Sequence, residues 1–211
     1  MKDLEVKMNN RKEVILITGS SGRIGFKAAE RFSQQYEIVG FDVLLAGHLP
    51  DVDFLSVDMA SDESVKEGMA KVKKYGNRIA AVIHLAAYYS FTQEHSSNYE
   101  RITIRGTERL LKHLQDFEVD QFIFSSTMLV HAPCEVGQRI NENSPIDPKW
   151  SYPKSKVQTE LLIHQERGKI KKTTILRIAG VYDDRCHSIP LSNQIQRIYE
   201  KQLTSHLFPG K

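Results

Sequence analysis

The 211 residues carry 29 Lys and Arg against 26 Asp and Glu, a formal net charge of +3, with 40% hydrophobic residues and two cysteines. A chain of this length buries roughly 70% of the surface its unfolded form exposes, so one main domain with a sizeable core needs neither disulfides nor a metal. The small charge, with no basic run interleaved with aromatics, argues against a nucleic-acid partner, and Cys134 and Cys186, without CxxC or paired-His spacing, argue against a disulfide framework or a zinc site.

Residues 1–12 read as a polar, solvated extension, where a signal peptide would need an apolar stretch. No run approaches the 18 or so consecutive apolar residues of a membrane span, so the expectation is a cytoplasmic protein with no membrane partner. Short β-branched runs then alternate with longer helical patterns, the arrangement of a parallel sheet flanked by helices. The strands are expected at 14–18, 37–42, 54–58, 80–84, 121–126 and 174–178. Val-Ile-Leu-Ile, Ala-Ala-Val-Ile and Phe-Ile-Phe within them are apolar on both faces, as covered parallel strands must be. A helix over 104–114 returns Leu110, Leu111 and Leu114 at steps of three and four, with Arg105, Glu108, Arg109 and Lys112 opposite. Residues 132–151 hold three prolines and form a long loop, of the kind that is usually functional or disordered. A helix over 152–166 follows it, and a last helical pattern covers 191–201.

Gly19, Gly22 and Gly25 follow the first strand and open a helix, so backbone amides can approach a pyrophosphate and the helix N-terminus can face its charge. Asp42 ends the second strand about 20 residues on, where a carboxylate accepts the ribose hydroxyls of NAD. A 2′-phosphate there, at about 4 Å and an effective dielectric near 20, costs on the order of 4 kcal/mol per pair of unit charges, so NAD is expected over NADP. Arg23, at the cradle, is either a phosphate ligand or a solvent-facing cation. Asp58, after the third strand, either holds the adenine amine or caps the next helix. Tyr152 and Lys156 stand four apart on one helical face, which suggests an ammonium stabilising a phenolate. A base near neutrality needs the phenol lowered by about three units from its usual value near 10. Ser125, Ser126 and Thr127 end the fifth strand at the carboxyl edge of the sheet, where their hydroxyls could hold an alcohol or carbonyl against the tyrosine.

With these motifs in order, the chain from about residue 13 to 182 resembles the extended short-chain dehydrogenase/reductases, also called the NAD-dependent epimerase/dehydratase family. The resemblance rests on the glycine cradle, Asp42, Asp58, His84-Leu85-Ala86-Ala87, Gly106-Thr107, Phe124-Ser125-Ser126-Thr127, Tyr152 to Lys156 with Glu160, and Leu176-Arg177 leading to Val181-Tyr182. It implies an α/β fold, a Rossmann-like doubly wound parallel sheet with flanking helices, with the carboxyl-terminal substrate lobe largely absent from these 211 residues. The expected divisions are 1–12 as extension, 13–182 as the NAD-binding domain, and 183–211 as the start of an incomplete substrate lobe; either the product is truncated or, the favoured expectation, the sequence is a portion of a longer chain.

By the same resemblance Thr127, Tyr152 and Lys156 are the catalytic triad. Gly19, Ser21, Gly22, Arg23, Ile24, Gly25, Asp42, Asp58, Met59, Leu85, Ala86, Ala87, Ser125, Tyr152 and Lys156 contact NAD, and no metal is implied. The implied chemistry is hydride transfer between the nicotinamide and a carbinol carbon, with Tyr152 exchanging the hydroxyl proton. Met128 and Leu129 replace the Asp-Glu pair of the dehydratases, which disfavours sugar 4,6-dehydration. His131 and Ala132 depart from the usual Val-Tyr-Gly, and Thr103 stands for the usual Asn. His131 is read as a neutral loop histidine, while Tyr88, Tyr89 and Phe91 line the pocket or pack the loop. The leading expectation is an NAD-dependent epimerase or dehydrogenase of a sugar or nucleotide sugar, in a possible homodimer packed through the helices holding Gly106 and Tyr152. The alternatives are a dehydrogenase of a hydroxysteroid-like or other apolar secondary alcohol, and a non-catalytic NAD-binding regulatory protein.

Overall fold

A computed structural model describes residues 12–44, 47–90, 96–182 and 188–201. Six strands form one sheet: β1 (Val14–Thr18), β2 (Glu37–Asp42), β3 (Val52–Ser56), β4 (Arg78–His84), β5 (Glu118–Thr127) and β6 (Lys172–Ile178). Their order is β3-β2-β1-β4-β5-β6 and every pair is parallel. The chain direction of growth reverses between β1 and β4, so the carboxyl ends of those strands flank the crevice where open α/β sheets take ligands. The helices are α1 (Arg23–Phe32), α2 (Asp62–Val72), α3 (Arg105–Leu114), α4 (Ser151–Glu166) and α5 (Ile189–Tyr199).

Both faces of the sheet are covered, as the apolar runs require. On one face Leu16, Val39, Phe41, Phe122 and Phe124 pack with Val65 and Met69 of α2, Leu110 and Leu114 of α3, and Ile163 of α4. On the other, Ile15, Ile17 and Ile38 pack against Ala29 of α1. Full burial of such aliphatic side chains contributes roughly 1.5–3 kcal/mol each, which makes this double core the main source of stability.

Several ends shift by one or two residues from the expectation, and the shifts at β3 and β5 have a physical reason. β3 starts and stops two residues early, because Val52 to Ser56 is what aligns with Ile38 to Asp42. Val57 leaves the ladder to donate to the Asp42 carbonyl at 2.8 Å, yet stays buried in the core, so the apolar pattern runs past the strand's end. β5 begins at Glu118, three residues early, since its first turns are exposed at the amino edge, where Asp120 pairs with Arg78 and Lys171. A π turn, Tyr99–Ile104, precedes α3 and carries the chain from the loop after β4 into the helix. Among the described residues no helix is long and apolar enough to cross a membrane, and no cluster of His, Cys, Asp and Glu could hold a metal ion.

Candidate active site

The glycine turn is held from below by β2: Gly19 N–H and Ser20 N–H both donate to the Phe41 carbonyl, at 2.8 and 3.2 Å. Gly19 has φ of 72°, in the left-handed region that favours glycine. A β-carbon there would lie 2.8 Å from the Ala86 nitrogen. At Gly25 it would lie 2.1 Å from the Gly19 carbonyl oxygen, so α1 can start this close to the turn only without a side chain. The α1 N-terminus has no side-chain cap and no acid in its first turn. α2, by contrast, is capped by Ser61 and begins Asp62-Glu63. The positive end of α1 thus carries no acidic side chain of its own, and its dipole suits an anion. Asp42 closes the turn: one carboxylate oxygen accepts from Ser21 N–H at 3.0 Å and the other from Val43 N–H at 2.8 Å.

Beneath the crevice the Thr18 hydroxyl and His84 Nδ1 lie 2.6 Å apart, and His84 Nε2 lies 2.8 Å from the Thr107 hydroxyl. Thr107 donates its proton to the Thr103 carbonyl at 2.6 Å, so it must accept from His84, and Nε2 carries the imidazole hydrogen. Nδ1 then accepts from Thr18, whose oxygen in turn accepts Ala86 N–H at 3.3 Å. Burial, with the Lys156 charge adding to it, lowers the His84 pKa to about 3. A neutral, single-tautomer histidine therefore ties the first strand, the loop after β4 and α3 together. Thr103 extends the tie by accepting Tyr88 N–H at 3.0 Å.

The Tyr/Lys helix presents an unusual buried face: Ser155, Lys156, Thr159 and Glu160 are all inside. Ser155 and Thr159 donate to their own helix carbonyls at Tyr152 and Ser155. Lys156 Nζ donates to the Ser125 carbonyl at 2.8 Å and sits over the Phe124 ring, 4.7 Å from its centroid. It lies 5.8 Å from the Tyr152 ring centroid. Glu160 accepts from the Ser126 hydroxyl and from Arg177 of β6, whose Nη2 reaches the second carboxylate oxygen at 2.7 Å. The Thr127 side chain lies beside the Tyr152 phenol and favours its ionised form, while its hydroxyl accepts Leu129 N–H at 3.3 Å. Tyr89 stands edge-on to the Tyr152 ring at 4.9 Å, and Tyr99 of the π turn lies at 6.4 Å.

Electrostatics here depart from the expectation of a phenol made acidic by its lysine. Burial holds the Tyr152 pKa above its usual value, Tyr89 adds to this, and only Thr127 pulls down. Lys156 is itself lowered to about 7 by burial, which Glu160 opposes, so the amine is partly neutral near pH 7. A group that has lost part of its charge cannot supply the three units that the spacing alone suggested.

The expected residues distribute unevenly. Gly19, Ser21, Gly22, Gly25 and Asp42 converge at the turn, and Arg23 and Ile24 are exposed at its mouth. Leu85, Ala86 and Ala87 are half-buried beside it. Asp58 lies beyond β3, exposed, with one oxygen accepting Ala60 N–H at 2.8 Å, while Ser61 takes the helix cap. Met59 packs its side chain in the core under Gly106. Of the three hydroxyls ending β5, Ser126 turns to Glu160 on the α4 side, Ser125 to the His84 carbonyl at 3.3 Å, and Thr127 accepts Leu129 N–H beside the tyrosine. His131 is buried, with Nδ1 at 3.2 Å from the Ser144 carbonyl and Nε2 facing Arg177 at 3.3 Å. Phe91 and Cys186 lie outside the described residues. The Glu160–Arg177 pair and the buried Tyr99 carried no assigned role; the recurrence of 152, 156 and 160 on one helical face was the signal for the first.

Residues 15–207 match the model of the NAD dependent epimerase/dehydratase family. A UDP-glucose 4-epimerase of Streptococcus mutans is 29% identical over 154 residues, 71% of this chain and 46% of its own length. Short-chain dehydrogenase/reductase family 42E member 1 of Homo sapiens is 25% identical over 189 residues, 82% of this chain and 47% of its own. The chain thus spans about half the length of the curated relatives it matches. The fold is similar to that of the Bordetella bronchiseptica enzyme WbmH in complex with NAD+, with TM-score 0.73 and 23% identity over 90% of this chain and 63% of that one. It is also similar to a Bacillus cereus UDP-glucuronic acid 4-epimerase in complex with UDP-glucuronic acid and NAD, with TM-score 0.70 and 22% identity over 89% and 63%.

Proposed function

Since the chain belongs to the NAD dependent epimerase/dehydratase family, we propose that it is the cofactor-binding part of an NAD-dependent epimerase or dehydrogenase acting on a secondary alcohol of a sugar or nucleotide sugar. In this proposal residues 13–182 form the NAD-binding domain and 183–211 begin a substrate lobe. The protein works in the cytoplasm, as a homodimer through α3 and α4.

The residues present fit the dinucleotide. A turn in which β-carbons at Gly19 and Gly25 would strike backbone leaves room for a diphosphate to approach the start of α1. Asp42, fixed to Ser21, presents the acidic group that suits an unphosphorylated ribose. Bound NAD supplies the hydride acceptor; the chain's own residues handle the proton. The Tyr152 oxygen takes the alcohol proton, the Thr127 hydroxyl beside it orients the alcohol, and Lys156, pinned to the Ser125 carbonyl, stands behind the phenol.

The convergence of Thr127, Tyr152 and Lys156 at the carboxyl end of β5, two strands from the glycine turn, is the observation that carries the proposal. Its test is to follow nicotinamide reduction and epimer exchange with nucleotide sugars, uronates and sterols, for the natural protein and for Tyr152→Phe. Turnover of a sugar substrate that Tyr152→Phe abolishes while NAD still binds is the expected result. Turnover of sterols alone moves the substrate to apolar alcohols, and NAD binding with no turnover by either protein makes the chain a regulatory NAD binder.

A further inference from the structure

α4 fastens three consecutive residues of β5 with three side chains of a single face. Lys156 donates to the Ser125 carbonyl, Glu160 accepts from the Ser126 hydroxyl, and Tyr152 stands beside Thr127. Behind Glu160, Arg177 closes a two-pronged ion pair, with its side chain 23% exposed against 8% for the carboxylate. Arg177 also donates to the Glu142 carbonyl at 3.3 Å, and so reaches the loop between β5 and α4. In every other ion pair of the described residues at least one partner is more than half exposed, whereas here neither is. Surface pairs contribute little, whereas a buried forked pair fixes geometry and resists the loss of either partner.

We propose that Glu160 and Arg177 are positioning residues for the Tyr152–Lys156 pair: together they lock α4 to the end of β5, and the balance between their two charges sets how much of Lys156 is protonated. The proposal rests on Tyr152 and Lys156 being the reacting pair. Lys156 is faced by Glu160 and Tyr152 from its own helix, by the neutral His84 from β4, and by the Ser125 carbonyl and Phe124 ring from β5. Tyr99 of the π turn lies beyond Tyr152, and Arg177 of β6 lies behind Glu160. Among these, Glu160 is the full negative charge, one turn from the amine on the same face. It favours the ammonium against burial. Arg177 lies against that carboxylate and offsets its field. The two partners of one ion pair therefore act on Lys156 in opposite directions.

The test is a pH titration of the lysine ε-carbons by NMR in the nucleotide-free protein, with Lys156 assigned from Lys156→Met. Glu160→Gln should lower the Lys156 midpoint and Arg177→Met should raise it, each by on the order of one pH unit. Arg177→Gln, which keeps hydrogen bonds to Glu160, should raise it as well and serves where the methionine variant does not fold. The double variant Glu160→Gln with Arg177→Met should return close to the natural protein, and Arg177→Lys should leave the midpoint in place. Single variants that shift the midpoint the same way, or not at all, overturn the proposal, because a purely structural clamp loosens identically from either side. No substrate enters this measurement. Opposite shifts without turnover would sink the enzyme reading alone, and turnover with same-direction shifts would sink this one alone.

Discussion

Lys156 makes a quantitative statement about stability that Lys156→Met isolates. Its pKa falls from the ordinary 10.5 to about 7 on folding, through burial. Between those two values the unfolded chain holds a proton that the folded protein has released, so stability rises with pH across the window and is lost as pH falls toward 7. Below about pH 6 both states are protonated and the dependence levels off. Each unit in the window contributes about 1.4 kcal/mol, and allowing for partial protonation at its lower end, the gain from about pH 7 to pH 9.5 is about 3 kcal/mol. Urea unfolding of the natural protein and of Lys156→Met at matched pH reads it directly, because the groups common to both cancel in the difference. The stability of the natural protein relative to the variant should climb by about 3 kcal/mol over that range. A flat difference would show that the amine reaches water in the folded state, and a difference falling toward alkaline pH would show that its charge is stabilised rather than penalised.

The glycine turn gives a graded pair. Gly25→Ala places its β-carbon 2.1 Å from a backbone oxygen that has no room to yield, whereas Gly22→Ala meets the same oxygen at 3.2 Å; the first should cost about 1–3 kcal/mol in denaturant unfolding and more than about tenfold in NAD affinity by calorimetry, the second far less. Equal effects would mean that the turn is not held where the structure has it. Asp42→Asn keeps an acceptor for Ser21 N–H and removes only the charge, so the ratio of NADP to NAD affinity should rise by about tenfold or more. An unchanged ratio would place the ribose elsewhere.

The sheet was legible because β1, β4 and β5 each carry a run apolar on both faces, as strands covered on both sides of a parallel sheet do. What the pattern did not carry was where pairing ends. Val57 is as apolar as its neighbours and just as buried, and only the register with β2 takes it out of the strand. Glu118 and Asp120 look like loop residues until Arg78 and Lys171 lie beside them in the folded sheet. The π turn is invisible for a related reason: Tyr99 to Ile104 has the β-branched content of a strand, yet in the fold it is helical, with Tyr99 packed edge-on to Tyr88. At the site, spacing located Tyr152, Lys156 and the glycines, since each depends on a local rule. The sign of the phenol's shift depends on how much water remains, which is set by packing from outside the helix, Tyr89 and Tyr99 included.

Without a ligand the groups of this site are all driven toward their neutral forms. His84 is an uncharged imidazole, Lys156 is about half deprotonated near pH 7, and Tyr152 keeps its proton. Desolvation dominates each shift, so the same burial that suits a water-free reaction suppresses the charges the reaction would use. A positive charge arriving in the crevice would act on the two reacting groups unequally, since it favours the phenolate but disfavours the ammonium. Base strength at Tyr152 therefore cannot come from Lys156 alone. Whatever sustains the lysine's charge against both burial and a cationic neighbour must be a nearby anion, and Glu160, buried one turn away and clasped by Arg177, is the carboxylate so placed.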